Sequence, residues 1–243
     1  MQNSSNPVFS DKLLKKFSTK DTTETMTVNG SLIKTGFLLA VLIAVSAWSW
    51  SFTETDPGRA GLLTIGASIS ALVVALVIIF TKPNAILSIL YAALQGVVIG
   101  SISFLFGSEM QGIVLQAISL TLAVTLSMLV LYTTGLVKVT EKLRSVIIIA
   151  TVGVMFFYLL SFVIGLFSDS FYALVTTGST GVVISGVIVL VAALNLLLDF
   201  DFIDKGTEKE LPKQFEWYAA FGLMVTLVWL YISILRMLAA SRN

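Results

Sequence analysis

Three acids, Asp199, Asp201 and Asp204, stand where the sixth of seven apolar runs in this chain meets the next loop, and no earlier run carries a carboxylate in its interior. A carboxylate at an apolar boundary loses hydration, which penalises its charged form. A second one nearby adds repulsion, so such a pair can share one proton near neutral pH. The same oxygens suit a hard cation such as calcium, which takes carboxylate, carbonyl and water donors. Proton and cation would then compete for one site. Glu216, beside Trp217 where the seventh run begins, is expected at a depth similar to that of Asp199 across the hairpin. Asp199, nearest the hydrocarbon, is the main functional candidate and the candidate calcium ligand. Asp201 and Asp204 complete the set for ion and pH sensing. Their plainer reading is that of solvated acids at a helix end, opposing the macrodipole and balanced by Lys205, Lys209 and Lys213.

Other chemistry is narrowed by composition. The chain has no cysteine and no histidine, which excludes thiolate nucleophiles, disulfides, Cys- or His-ligated metals and Ser–His proteolysis. The usual neutral-pH switch is also missing. A diaspartyl intramembrane protease needs two acids within spans, and only one end of one run offers any, so no enzymatic activity is expected. No phosphate-cradling loop follows a strand, and no basic patch interleaved with aromatics points to nucleic acid.

The elements that must position the acids follow from hydropathy. Of 243 residues 56% are hydrophobic and 12% charged, with mean hydropathy +0.95, far from the balance of an ordinary soluble domain. Apolar runs cover residues 34–52, 60–80, 84–106, 113–134, 145–167, 178–198 and 218–238. Each suits a helix of about 20 residues across about 30 Å of hydrocarbon. Barrel strands would be about 10 residues long with alternating polarity, whereas Leu72 to Phe80 and Val182 to Leu194 are apolar on every face. The expectation is an all-α membrane protein of seven transmembrane helices, 34–240, in the lipid bilayer, preceded by a polar basic tail, 1–33. All four prolines fall outside the runs, so the broken-helix signature of many transporter sites is absent.

Basic residues set the expected orientation. With the N-terminus inside, twelve of the fifteen Lys and Arg residues lie on the cytoplasmic side, leaving Arg59, Arg236 and Arg242 outside. The positive-inside rule then favours a cytoplasmic N-terminus and an external C-terminus. Trp48 and Trp50 near one end of the first run, and Trp217 at the start of the last, fit interface anchors. The tail lacks the apolar core of a cleaved signal peptide, so the first span is expected to serve as the insertion signal. Phe9, Leu13 and Phe17 recur among Lys12, Lys15 and Lys16, the pattern of a short surface helix on anionic lipid or of a disordered basic tail.

Within the runs, Gln95, Gln116 and Asn195 are expected to face protein or water, with packing as their plainest role. Gly96 and Gly100 form a GxxxG, and Gly178, Gly181 and Ser185 a small-residue stripe, both signs of close helix contact.

Several strings carry a resemblance. LDF at Leu198 to Phe200, EWYAAFGLMVTLVWLY from Glu216 to Tyr231 and ILR ending at Arg236 resemble the C-terminal signature of the Bax-inhibitor (TMBIM) family. YAALQGVVIG from Tyr91 to Gly100 and GIVLQA from Gly112 to Ala117 resemble its bacterial YccA/YetJ-like branch. The likeness spans residues 33 to 240. It implies seven helices with the last one central, a pH-sensitive calcium leak, and protease-modulating or stress-protective roles among members. The leak is linked there to two aspartates, one ending helix six and one in helix seven. Asp199 matches the first. Aligning Arg236 with the family's late arginine places Thr226 at the second, and Glu216 lies about 10 residues, roughly 15 Å of helix, away.

The expected function is therefore a passive cation leak, calcium foremost, controlled by protonation around Asp199, with calcium as cargo and no cofactor. The competing expectation is a non-conducting regulator that binds a membrane protease or another membrane protein through the basic tail. A proton-coupled transporter using Asp199 or Glu216 ranks below both, because no second embedded charge completes a relay. The bacterial likeness and charge bias make an inner membrane the expected location.

Overall fold

A computed structural model of the chain describes residues 24–81, 83–167 and 177–242. The tail's Phe9, Leu13, Phe17 stripe and its lysines lie outside the described residues, as does Lys82. Seven helices follow in order among the described residues: α1 (Val28–Thr55), α2 (Pro57–Phe80), α3 (Ala85–Glu109), α4 (Ile113–Thr133), α5 (Glu141–Gly165), α6 (Gly178–Glu208) and α7 (Phe215–Ala240). All seven are long and apolar enough to cross a membrane, and the chain is a multi-pass integral membrane protein.

Local chemistry starts these helices where backbone donors need partners. The Thr27 hydroxyl accepts from Gly30 N at 3.0 Å, Asp56 from Arg59 N at 3.1 Å, Asn84 from Ile86 N at 2.8 Å and Thr140 from Leu143 N at 3.2 Å. Pro57 opens α2, where its missing N–H costs nothing. Gly112, at φ 73°, turns the chain into α4 in a conformation L side chains rarely adopt.

Helix bounds depart from the apolar runs at two places. Helix α1 begins at Val28, six residues ahead of the run's start at 34, so the last part of the expected tail is helical. Helix α6 continues to Glu208, ten residues past the end of its run. Hydropathy reports contact with lipid, whereas helix persists wherever backbone bonding and side-chain pairing allow it. Asp199 is thus not at a helix end: it lies about two and a half turns inside α6, and the macrodipole argument does not apply to it, whereas Asp204 remains within about one turn of the helix end.

Burial places α7 at the centre. Fourteen of its 26 residues are buried, against Ile147 and Val154 alone in the 25 residues of α5. Helix α7 packs against α1, α3, α4 and α6, whereas α5 leans mainly on α6. Leu196, Leu223, Leu230 and Ile234 form one core between α6 and α7, and Leu38, Ala92, Ala220 and Met224 join α1, α3 and α7 in another. Apolar residues facing outward, such as Leu62, Ile69 and Leu72 of α2, meet lipid.

The GxxxG of α3 does what its spacing predicts. A Cβ on Gly96 would lie 2.8 Å from the Leu42 carbonyl oxygen, and one on Gly100 would overlap that of Ser46. The close approach lets Ser46 donate to Gly96 O at 3.1 Å and Ser49 to Val97 O at 2.8 Å. Gln95 donates to Tyr91 Oη at 2.9 Å, and Asn195 to Thr151 Oγ1 at 2.8 Å and Val191 O at 2.9 Å. Gln116 accepts from Arg242 at 2.8 Å. Each of these polar side chains is satisfied by protein.

Candidate functional site

Because α6 is helical through Glu208, residues 199, 201 and 204 leave it in different directions, about 100° apart per residue. Each acid meets a different helix. Asp204 accepts a hydrogen bond from Tyr132 Oη of α4 at 2.7 Å. Asp201, only 6% exposed, is ion-paired with Arg144 of α5 and, at 2.9 Å, with Lys205 one turn along α6. The solvated reading of Asp201 is therefore overturned: the reach of Arg144 from 57 positions away lets it sit inside. Of the three lysines expected to balance the cluster, Lys205 pairs with Asp201, and Lys213 pairs instead with Glu24 at 2.6 Å.

Asp199 faces α7. A Cβ on Gly222 would lie 3.7 Å from its Oδ1, so the carboxylate stands beside the central helix with room for a methyl group between them. The Thr226 hydroxyl, one turn on, is its side-chain neighbour; that hydroxyl donates to the Gly222 carbonyl at 3.3 Å. The residue as a whole is partly buried, yet Oδ2 is shielded from solvent and has no hydrogen-bond donor among the described residues. A buried carboxylate oxygen normally has one, because leaving it bare costs the full desolvation of that atom. Asp199 stands apart from Asp201, Asp204 and Glu216, whose carboxylates all have donors.

Glu216 is in the first turn of α7 and 1% exposed. Its Oε1 accepts from Thr27 N at 2.9 Å and from Thr27 Oγ1 at 3.0 Å, and its Oε2 pairs with Lys34. Lys34 also sits 5.3 Å from the Trp217 ring centroid, which gives the tryptophan a partner in protein besides any interfacial role. A Cβ on Gly30 would overlap the Glu216 carboxylate, so a larger residue there would have to push the carboxylate off its Thr27 and Lys34 partners. The structure thus turns Glu216 towards α1 and leaves Asp199 with α7 neighbours. Just outside the spans, residues 24–27 are strapped to the α6–α7 loop by Met26 N to Leu211 O at 2.7 Å and Lys213 N to Glu24 O at 3.1 Å. The Glu24 carboxylate beside Lys213 holds its ammonium above the usual range.

Residues 6–243 match the family model described as Bax inhibitor 1 like. The chain belongs to that family. No curated protein matches it. Family membership covers nearly the whole chain, including the Asp199 and Thr226 positions on which the resemblance turned. The partners Thr27, Lys34, Tyr132 and Arg144 were not singled out from sequence; a basic residue near the start of a span, as Lys34 and Arg144 are, was the available signal. Among the described residues no group of three or more His, Cys, Asp or Glu side chains converges, so the Asp199 carboxylate is not part of a caged multi-carboxylate site. Such a lone carboxylate can take up a proton or contact a cation.

Proposed function

We propose that this Bax inhibitor 1-like protein is a pH-sensitive cation leak, calcium foremost, with its control point where Asp199 of α6 meets Thr226 of α7. The observation that carries the reading is that Asp199, whose Oδ1 faces the central helix, has an Oδ2 shielded from solvent and without a donor among the described residues. A bare carboxylate in a low-dielectric setting is costly, and either a proton or a cation relieves it. Competition between the two at one oxygen couples conduction to pH without histidine. The absence of a multi-carboxylate cage favours weak, transient contact, as conduction requires. Helix α7 packs on four others, so a change at the α6–α7 contact has a route to the rest of the bundle. The charge bias supports a cytoplasmic N-terminus, and the resemblance to a bacterial branch together with that bias supports an inner membrane.

The test is calcium flux into proteoliposomes over about pH 5 to 8, the range in which a physiological switch must act, with Asp199→Asn beside the wild type. The expected result is a pH-dependent flux that the variant abolishes or makes insensitive to pH while still inserting and folding. Vesicles as tight as protein-free ones at every pH would overturn the leak and return attention to a regulator that binds a membrane protease through its basic tail.

A further inference from the structure

We infer that a cleft between α1 and α4 is a binding site for one lipid acyl chain, which reaches through it to the central helix. Helices α1 and α4 flank the opening, and α3 and α7 form its floor, where Ile99 and Val228 are buried. Its volume is about 510 Å³, within the range of roughly 300–1,000 Å³ typical of ligand sites. Ile43, Ile118 and Leu122 stand exposed at its mouth.

What fills it is decided by polarity and place. The hydroxyls that line it are already bonded: Ser46 to Gly96 O at 3.1 Å, Thr121 to Ala117 O at 2.7 Å, and Ser103 with Tyr231 Oη at 2.7 Å. A buried water needs two to four polar partners, and the protons of these hydroxyls are already spent on protein, which leaves a water little to hold it in a lining that is otherwise almost wholly apolar. Every lining residue belongs to a membrane-spanning helix, so the medium at the mouth is hydrocarbon. Left empty, the walls would forfeit their dispersion contacts; an acyl chain restores them at no cost in desolvation. Leu227 and Val228 on the floor directly follow Thr226, so the chain touches the segment of α7 that faces Asp199 one residue earlier. The site itself does not depend on the leak reading, since binding is read without any flux.

The test uses the full chain in phosphatidylcholine vesicles doped with a phosphatidylcholine carrying a mid-chain diazirine, with adducts mapped by mass spectrometry after irradiation. Adducts are expected on Leu227, Val228 or Tyr231 of α7, alongside those on outward residues of α2 such as Leu62 and Ile69. Ala47→Phe, which fills the mouth from α1, should remove the α7 adducts and leave the α2 adducts; Leu122→Phe does the same from α4 should the first variant fail to insert. Labelling confined to outward faces, or α7 labelling unaffected by both fillings, would overturn the site.

Discussion

Asp199 on α6 and Thr226 on α7 are neighbours across the contact between the sixth and seventh helices, with Oδ1 turned towards Gly222 and Oδ2 without a donor among the described residues. Residues in such direct contact do not contribute independently. Thr226→Val and Asp199→Asn are therefore expected to be non-additive, with a coupling of about 0.5–3 kcal/mol in a double-mutant cycle on thermal unfolding in detergent. Thr226→Val should also move the pH at half-maximal calcium flux. Additive stabilities and an unmoved profile would show that the hydroxyl does not act on the carboxylate.

The Glu216–Lys34 pair predicts a different behaviour. Both groups are largely shielded, with side chains 1% and 17% exposed, and removing one partner strands the other charge. Glu216→Ala and Lys34→Ala should each cost about 3–5 kcal/mol, while replacing both by leucine should recover much of the loss. Calcium flux in the double variant should keep its pH dependence, because the pair fastens α1 to α7 and leaves Asp199 untouched. A double variant as unstable as the singles would mean that the Thr27 bonds, not the ion pair, hold the corner together.

Much of the fold was legible because lipid contact imposes long apolar runs, and all seven became helices. The bounds of α6 were not, since charged residues recur through 199–208 and hydropathy has no view of a helix that continues past the lipid. The i to i+4 spacing of Asp201 and Lys205 was the local sign of that continuation. The pairing of acids was less legible still: Lys34, Tyr132 and Arg144 lie 182, 72 and 57 positions from their partners. Only folding brings such groups together. The Asp199–Thr226 juxtaposition was reached through the family resemblance, not through periodicity, because one threonine in an apolar helix looks like any other.

Arg144 and Lys205 both hold Asp201, and their burial separates their worth. The Arg144 side chain is 12% exposed and that of Lys205 36%. Arg144→Ala should cost about 1.5–3 kcal/mol, the range for a hydrogen bond to a charged group, and Lys205→Ala no more than about 1 kcal/mol. Hydrogen exchange should rise across α5 in the first variant alone, since α5 has few other buried contacts. Equal effects of the two substitutions would remove Arg144 as the anchor of that helix.

The strap before α1 responds to alkali. Lys213 is held above its ordinary value by Glu24, so its contribution is complete below the unfolded lysine value of about 10.4 and is lost as pH rises through the raised folded value. The pair is exposed, and salt should weaken it at neutral pH. Protection of the Met26 amide is expected to fall above that value, and Lys213→Met should abolish the fall. Protection that is flat into strong alkali in the wild type would show that the backbone bonds and buried Met26 hold the strap unaided.

Gly100 and Gly61 offer an internal comparison of the same substitution. Both are helical, and alanine is the better helix former by about 0.5–1 kcal/mol. At Gly61 a Cβ meets nothing within 4 Å, so Gly61→Ala should be neutral or slightly stabilising. At Gly100 the added carbon would overlap the Ser46 carbonyl oxygen and lie 2.7 Å from Ser49 Cβ. Backbone cannot rotate away, so α1 and α3 must separate, and overpacking of this kind costs about 1–3 kcal/mol. Separation also stretches the bonds from Ser46 to Gly96 O and from Ser49 to Val97 O, which adds to the loss. Thermal unfolding of the two variants side by side should show Gly100→Ala melting well below Gly61→Ala; equal melting temperatures would mean that the α1–α3 contact is looser than the geometry requires.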